Sequence, residues 1–448
     1  MTFGCALLVA VCAFVNWRLL HSVLCPPVIF SGLWAAILFG LVLSGNDFYA
    51  LGPTTLGLCL VSVLSFSIGC QFVPSLRRKV RRSPQPTHSP HERKYLLRIL
   101  DVLLAVFVIA LPLYWSQLNA IHQSSVDSNF LRSVRTEMVL TDTGQGTTGF
   151  GLLRYVLSIP IVLTLVATVE SYRGRERKWR IMAWIVVSLA YFVPTGSRTT
   201  AGVLLIGVLC AVRLTSGRLR LRTALISTLA AASVFSFAAI ALGKGGSRYA
   251  DRWENASSVA YSFRLYSLGG IVACDQLIRT DANVSHGQIK SLRFFYAVGK
   301  ALGFDLNVPQ AVELPVPTPG PTNVYSIYFY YFKDMGWVGM AAIFVGLGAL
   351  LSLLFSYALS GRPEAMVLSS LGCAFLVFTC SGDPFLNGLS SSIQAAAEVF
   401  LLYKVCRMCG GGAARRQPRH RPPLGPSSRV GISPPAAWVP PGVLGKSH

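Results

Sequence analysis

Trp337–Ser360 reads WVGMAAIFVGLGALLSLLFSYALS, twenty-four residues without one charged side chain. A helix rises about 1.5 Å per residue and the hydrocarbon core of a bilayer is about 30 Å thick, so a run of this length and composition predicts a transmembrane helix. Working outward, similar runs precede it at Phe3 to Leu20, Pro27 to Ser44, Gly52 to Val73, Tyr95 to Leu118, Gly151 to Val169, Ile181 to Pro194, Ala201 to Val212 and Thr223 to Leu242. Two more follow, at Met366 to Ser381 and Ser391 to Val405. The expected fold is therefore all-α, a polytopic transmembrane helical bundle of about 11 spans by this count. The first run has no basic residues before it and no small-residue cleavage site, which reads as a retained helix.

Composition agrees. Of 448 residues, 52% are hydrophobic and 13% charged, too apolar and too charge-poor for a soluble chain of this size. The formal charge of +22 raises the question of nucleic acid, but the cations lie between apolar runs rather than on one folded face, so no nucleic-acid partner is expected. Cys5, Cys12, Cys59, Cys70, Cys210, Cys373 and Cys380 fall inside apolar runs, where a thiol acts as a small hydrophobe; Cys274 lies alone in a long polar stretch.

The basic segments Arg77 to Lys94, Arg173 to Arg180, Arg213 to Arg222 and the tail after Lys404 share one side under this span count. Positive charge marks the cytoplasmic side, so the N-terminus is expected outside and the C-terminus inside. The chain then divides into residues 1–242 with eight spans, an extracytoplasmic loop over 243–336, three spans over 337–405, and a disordered basic tail over 406–448, rich in Gly, Arg and Pro. Cys406 and Cys409 form a CxxC with no second pair, which favours juxtamembrane thiols over a zinc site.

Candidate chemistry is confined to few places. Ile181 to Val212 must cross and return within about 48 Å of helix where two spans need nearer 60 Å, so its turn, Thr195-Gly196-Ser197-Arg198, has to sink below the surface. A cation there costs a few kcal/mol unless an anion, a partner or water receives it; the bland alternative is an arginine that snorkels to the headgroups. In the long loop, Tyr249, Arg252, Tyr261, Arg264 and Tyr266 interleave cations and aromatics, and Arg264 is either a phosphate clamp or a structural ion pair. Gln288 to Leu302 places Ile289, Leu292, Phe295, Tyr296 and Leu302 on one helical face and Lys290, Arg293 and Lys300 toward the other, as an interfacial helix or one packed within the loop. After the proline-rich stretch from Pro309 to Pro321, six aromatics crowd into Tyr325 to Phe332, either an aromatic belt or a contact surface. Asp101 and Glu398, inside spans, are expected to face another helix or the cytoplasmic boundary.

The Gly196-Ser197-Arg198 turn between short spans, the late extracytoplasmic loop and the segment from Thr322-Asn323-Val324-Tyr325 to Lys333-Asp334-Met335-Gly336 together resemble the bacterial oligosaccharide repeat-unit polymerases, the Wzy family of O-antigen, capsule and exopolysaccharide assembly. The resemblance implies a multi-pass protein of the bacterial inner membrane and a membrane-embedded glycosyltransferase. Its substrate would be an undecaprenyl-diphosphate-linked oligosaccharide drawn from the lipid bilayer, and a chain-length regulator is a further partner it admits. It implies Arg198 and Arg264 as stabilisers of the departing diphosphate, with Asp334, then Asp251 and Glu254, as candidate bases. Gly196, Ser197, Asn323, Tyr325, Tyr328 and Lys333 would contact substrate. No Asp-x-Asp pair, the usual diphosphate–metal handle, occurs in the chain, so the expected reaction needs no metal or other cofactor. Two rivals stand beside it: an O-antigen ligase of the same clan, disfavoured because Thr322 stands where some ligases have histidine, and a flippase for lipid-linked oligosaccharides, disfavoured because polar residues gather in one loop rather than in paired midplane helices.

Overall fold

The computed structural model describes residues 1–73, 90–125, 129–142, 156–174, 178–195, 198–217, 252–280, 289–309, 316–318, 320–322 and 324–415. Its helices are α1 (Thr2–Leu20), α2 (Pro26–Leu43), α3 (Pro53–Gln71), α4 (Pro90–Gln123), α5 (Phe130–Asp142), α6 (Ser158–Arg173) and α7 (Trp179–Phe192). They continue as α8 (Arg198–Ser216), α9 (Arg252–Arg279), α10 (Arg293–Ala301), α11 (Ile327–Leu359), α12 (Pro363–Val377) and α13 (Leu389–Arg415). Proline opens α2, α3 and α12, where its fixed φ suits the first turn and its missing N–H would have had no helical partner.

Among the described residues, seven helices are long and apolar enough to cross a membrane, with Trp179–Thr195 as a shorter apolar helix. The chain is thus an all-α protein of multi-pass membrane type. The expected span over Thr223 to Leu242 lies outside the described residues. Elsewhere the boundaries differ from expectation for identifiable reasons. α6 begins at Ser158 and buries every residue from Pro160 to Ser171, a short helix enclosed by its neighbours. α13 continues to Arg415, into the segment assigned to the tail, because Cys406 packs into the core and Arg407 pairs with Glu364 beyond the span; 416–448 lie outside the described residues.

Buried side chains form two main lobes. The first joins α1, α2, α3, α9 and the N-terminal two-thirds of α11 around Trp34, Phe66, Tyr328 and Phe344. The second joins α4, α6, α7, α8, α12 and α13 around Trp184, Tyr191, Phe192 and Tyr403. Within the first lobe α3 and α11 approach closely at glycines: a Cβ on Gly69 would meet the Val345 backbone and one on Gly348 the Phe66 backbone. Apolar lipid gives helices little hydrophobic reason to associate, and such small-residue contacts supply the packing instead.

The segment from 243 to 336 is not a loop set apart from the bundle. The second half of α9 is built into the first lobe, with Ile271, Val272, Ala273 and Cys274 at most 1% exposed. Charged Asp275 and Arg279 hid this helix from a hydropathy reading. β1 (Val316–Thr318) and β2 (Gly320–Thr322) form a minimal antiparallel hairpin packed on α9. α11 starts ten residues ahead of the expected Trp337, and Gly336 interrupts it with φ 65° and ψ −166°, a backbone state that favours glycine.

Candidate active site

The helix ends segregate. One end brings together Arg93 with Gly174, Tyr403 with Glu170, and Arg407 with Glu364, and is called the basic end. The opposite, loop end gathers the 44–52 connection, the C-terminus of α4, α5, the turn before α8, α9, the hairpin and the connection from Phe378 to Leu389.

Around Phe378–Cys380 the two lobes meet. From the second lobe, Gly202 of α8 lies so close to the Phe378 ring that a Cβ there would clash. From the first, Gly270 of α9 is equally close to the Cys380 carbonyl, while its own carbonyl accepts the Ser326 N–H at 3.0 Å. The connection then turns on Asp383, 7% exposed, whose carboxylate accepts the Phe385 and Leu386 N–H groups at 2.9 and 3.1 Å, the Asn387 N–H at 2.9 Å and the Tyr331 hydroxyl at 2.7 Å. Burial raises this carboxyl above the usual carboxylate range, against the opposing pull of those hydrogen bonds.

Arg198 opens α8, one turn from Gly202, so its backbone sits beside this seam. Its side chain, like Gly196 and Ser197, lies outside the described part. The turn before it is covered by protein: Pro194 and Thr195 are buried, Thr195 Oγ1 donates to the Phe192 carbonyl at 2.7 Å, and α5 packs across. α5 is in turn fixed to α4 by Phe130 stacked on Trp115 and by His122 Nδ1 at 2.8 Å from Ser133 Oγ.

Arg264 lies on α9 at the same end, in an ion pair with Asp47 at 2.6 Å; both are exposed, at 45% and 54%. Deeper along α9, Asp275 Oδ1 accepts the Gly52 N–H at 2.8 Å and the Thr55 hydroxyl at 2.7 Å, so it caps α3 across 223 residues of sequence, and Arg279 pairs with Asp275 at 2.7 Å.

Asp334 is engaged rather than open: its Oδ2 accepts both the N–H and the hydroxyl of Ser291 at 2.7 Å, holding the 3-10 turn Lys290–Leu292 that leads into α10. Tyr325 and Tyr328 do not form an open stacking surface for sugars. Both are at most 1% exposed, Tyr325 against Phe329 at 5.1 Å and Tyr328 against Trp34 at 4.3 Å, because the segment from Tyr325 to Tyr331 is buried core. Lys333 Nζ lies 5.4 Å from the Phe329 ring centre. Asn323 and Asp251 lie outside the described residues, as does the side chain of Glu254.

The structure therefore brings Arg264, the α8 N-terminal turn and the Phe378–Leu389 connection to one end, and ties Asp334 to α10. Sequence reading missed Asp47, Asp275, Arg279, His122 and Asp383. Only Asp383 carried a local signal, Ser381-Gly382-Asp383-Pro384, a turn-forming cluster. Asp101 and Glu398 face neighbouring helices as expected: Asp101 takes a two-pronged bond from Arg180 at 2.7 and 2.9 Å, and Glu398 meets Gln394 at 2.7 Å and Ser158 at 3.3 Å. Among the described residues, no group of three or more His, Cys, Asp or Glu is placed to hold a metal ion. No protein-family model, curated protein or solved structure matches the chain.

Proposed function

We propose that this chain is a membrane glycosyltransferase that polymerises oligosaccharide repeat units carried on undecaprenyl diphosphate, at the outer face of a bacterial inner membrane. The observation that carries the proposal is the convergence at the seam: the buried turn before Arg198 leads into α8 of one lobe, whose Gly202 meets Phe378, and the arginine-bearing helix α9 of the other meets Cys380 through Gly270. A lipid diphosphate lying in the bilayer presents its phosphates at that height, and two flanking cations suit a dianionic leaving group.

In the proposed reaction a hydroxyl of the incoming unit attacks the anomeric carbon of the growing chain. The new C–O bond forms as the bond to diphosphate breaks, undecaprenyl diphosphate leaves with the electron pair, and the hydroxyl proton passes to a base. Charge grows on the leaving oxygen, where fixed guanidinium groups in a water-poor setting are worth far more than in bulk water. Arg198 and Arg264 are assigned that role. For Arg264 the exposed pair with Asp47 makes it workable, because an exposed ion pair is worth at most about 1 kcal/mol and a diphosphate outcompetes one carboxylate. Asp334 holds Ser291 in this state, so proton transfer through it requires that latch to open.

Glycan length tests the reading. Loss of the chain leaves single repeat units on their final acceptor; polymer stranded on the carrier lipid would instead mean a ligase, and units held at the inner face a flippase. Arg198→Ala is expected to abolish polymer while the protein still inserts. Normal chain lengths in that variant would remove the assignment.

A further inference from the structure

The sequence leaves the helix after residue 288 with two environments, and the contacts decide between them. α10 buries none of its residues against the protein. Phe295, Val298 and Leu302 project from one face at 55%, 40% and 73% exposure, with Phe304 just beyond at 64%, whereas Arg293 and Lys300 lie on the opposite face. Arg293 is held from below by the Pro309 carbonyl at 3.0 Å, so the apolar face is not free to roll inward.

The entry to this helix is tied to α11. Ser291, immediately before α10, is bonded twice to Asp334, and Asp334 lies two residues before the Gly336 break. Directly after the break Trp337 and Val338 turn outward, 41% and 83% exposed, as the lipid-length part of α11 begins. The Trp337 ring also leans on Gly57 and on Phe332, and the Ser291–Asp334 bonds tie the entry to α10 to the start of the lipid-length part of α11.

We infer that α10 lies in the headgroup–acyl boundary of the leaflet at the loop end, its Phe295, Val298 and Leu302 face immersed in phospholipid and its Lys300 side toward phosphates and water. An amphipathic helix in that position sinks about 5–10 Å, which matches a tether at the start of a span. Lipid is favoured over a protein occupant by the cations opposite the apolar stripe and by the shared level with Trp337. The inference does not depend on the reaction proposed above.

Accessibility of spin labels in the full chain tests it. Cys12, Cys380 and Cys409, the cysteines that are not buried, are replaced by serine, one cysteine is introduced as Phe295→Cys, Val298→Cys, Ala297→Cys or Lys300→Cys, and the labelled protein is placed in vesicles of phosphatidylcholine and phosphatidylglycerol. Labels at 295 and 298 are expected to collide with oxygen several-fold more than with a water-soluble nickel chelate, and labels at 297 and 300 to show the reverse. Equal access to the chelate on both faces would place α10 in water and overturn the inference. So would labels at 295 and 298 that neither reagent reaches, since residues 218–250 or a second copy would then cover the face.

Discussion

The two ends of the bundle use their carboxylates differently. At the basic end they meet arginines: Glu364 pairs with Arg407, Glu170 lies 3.6 Å from Arg173, and Asp101, nearby within the bundle, takes both prongs of Arg180. At the loop end, Asp275, Asp334 and Asp383 accept backbone N–H groups, of Gly52, Ser291 and three consecutive residues from Phe385, Asp275 alongside its pair with Arg279. Regular helices satisfy their own amides, but the loop end is built of turns, a hairpin and broken helices whose amides need other acceptors. The buried Asp275 and Asp383 thus hold backbone together, whereas Asp47 and Arg264 are both exposed and their pair can exchange partners.

The largest effect that would break this comparison belongs to Asp383. Replacing it with alanine strands three amides and the Tyr331 hydroxyl, and is expected to cost about 3–5 kcal/mol, read as a lowered unfolding midpoint in detergent; Asp383→Asn, whose one amide oxygen can still accept from Tyr331, Phe385 and Leu386 and loses the Asn387 N–H, should cost less than half as much. Equal losses would mean that its charge, not its hydrogen bonds, holds the turn. Next comes Arg180→Ala, expected to lose about 2 kcal/mol, with little further loss when Asp101→Ala is added, because the two act as one half-buried unit. The smallest is the coupling between Asp47 and Arg264, expected below about 1 kcal/mol in a double-mutant cycle. Polymer formation sharpens the contrast there: under the proposed reaction, Arg264→Ala removes most activity with hardly any change in stability, and a stability loss matching that of Arg180→Ala would class both pairs as scaffolding.

The membrane-crossing helices were legible because hydropathy is a local property: Phe3 to Leu20, Pro27 to Ser44 and Gly52 to Val73 match α1, α2 and α3 to within a few residues. α9 was not, since Asp275 and Arg279 read as loop residues until Gly52 and Ala50, more than 220 positions away, are seen to bond them. Tyr325 and Tyr328 misled in the opposite sense. Aromatic density looks alike whether rings await a ligand or fill a core, and only the neighbouring Trp34 and Phe344 show which. Asp334 stood in the segment that drew attention, but its bond to Ser291, 43 residues earlier, carries no periodic trace.

Gly336 sets the length of the apolar rod. Unbroken, the 33 residues of α11 would run to about 50 Å of rod, some 20 Å more than the hydrocarbon slab, and the mismatch would have to be absorbed by a steep tilt or a thickened bilayer. The interruption cuts this to a stretch of about 35 Å from Trp337 onward, which suits the slab with a modest inclination. A single residue without a side chain therefore parts a core-filling segment from a stretch of membrane-crossing length.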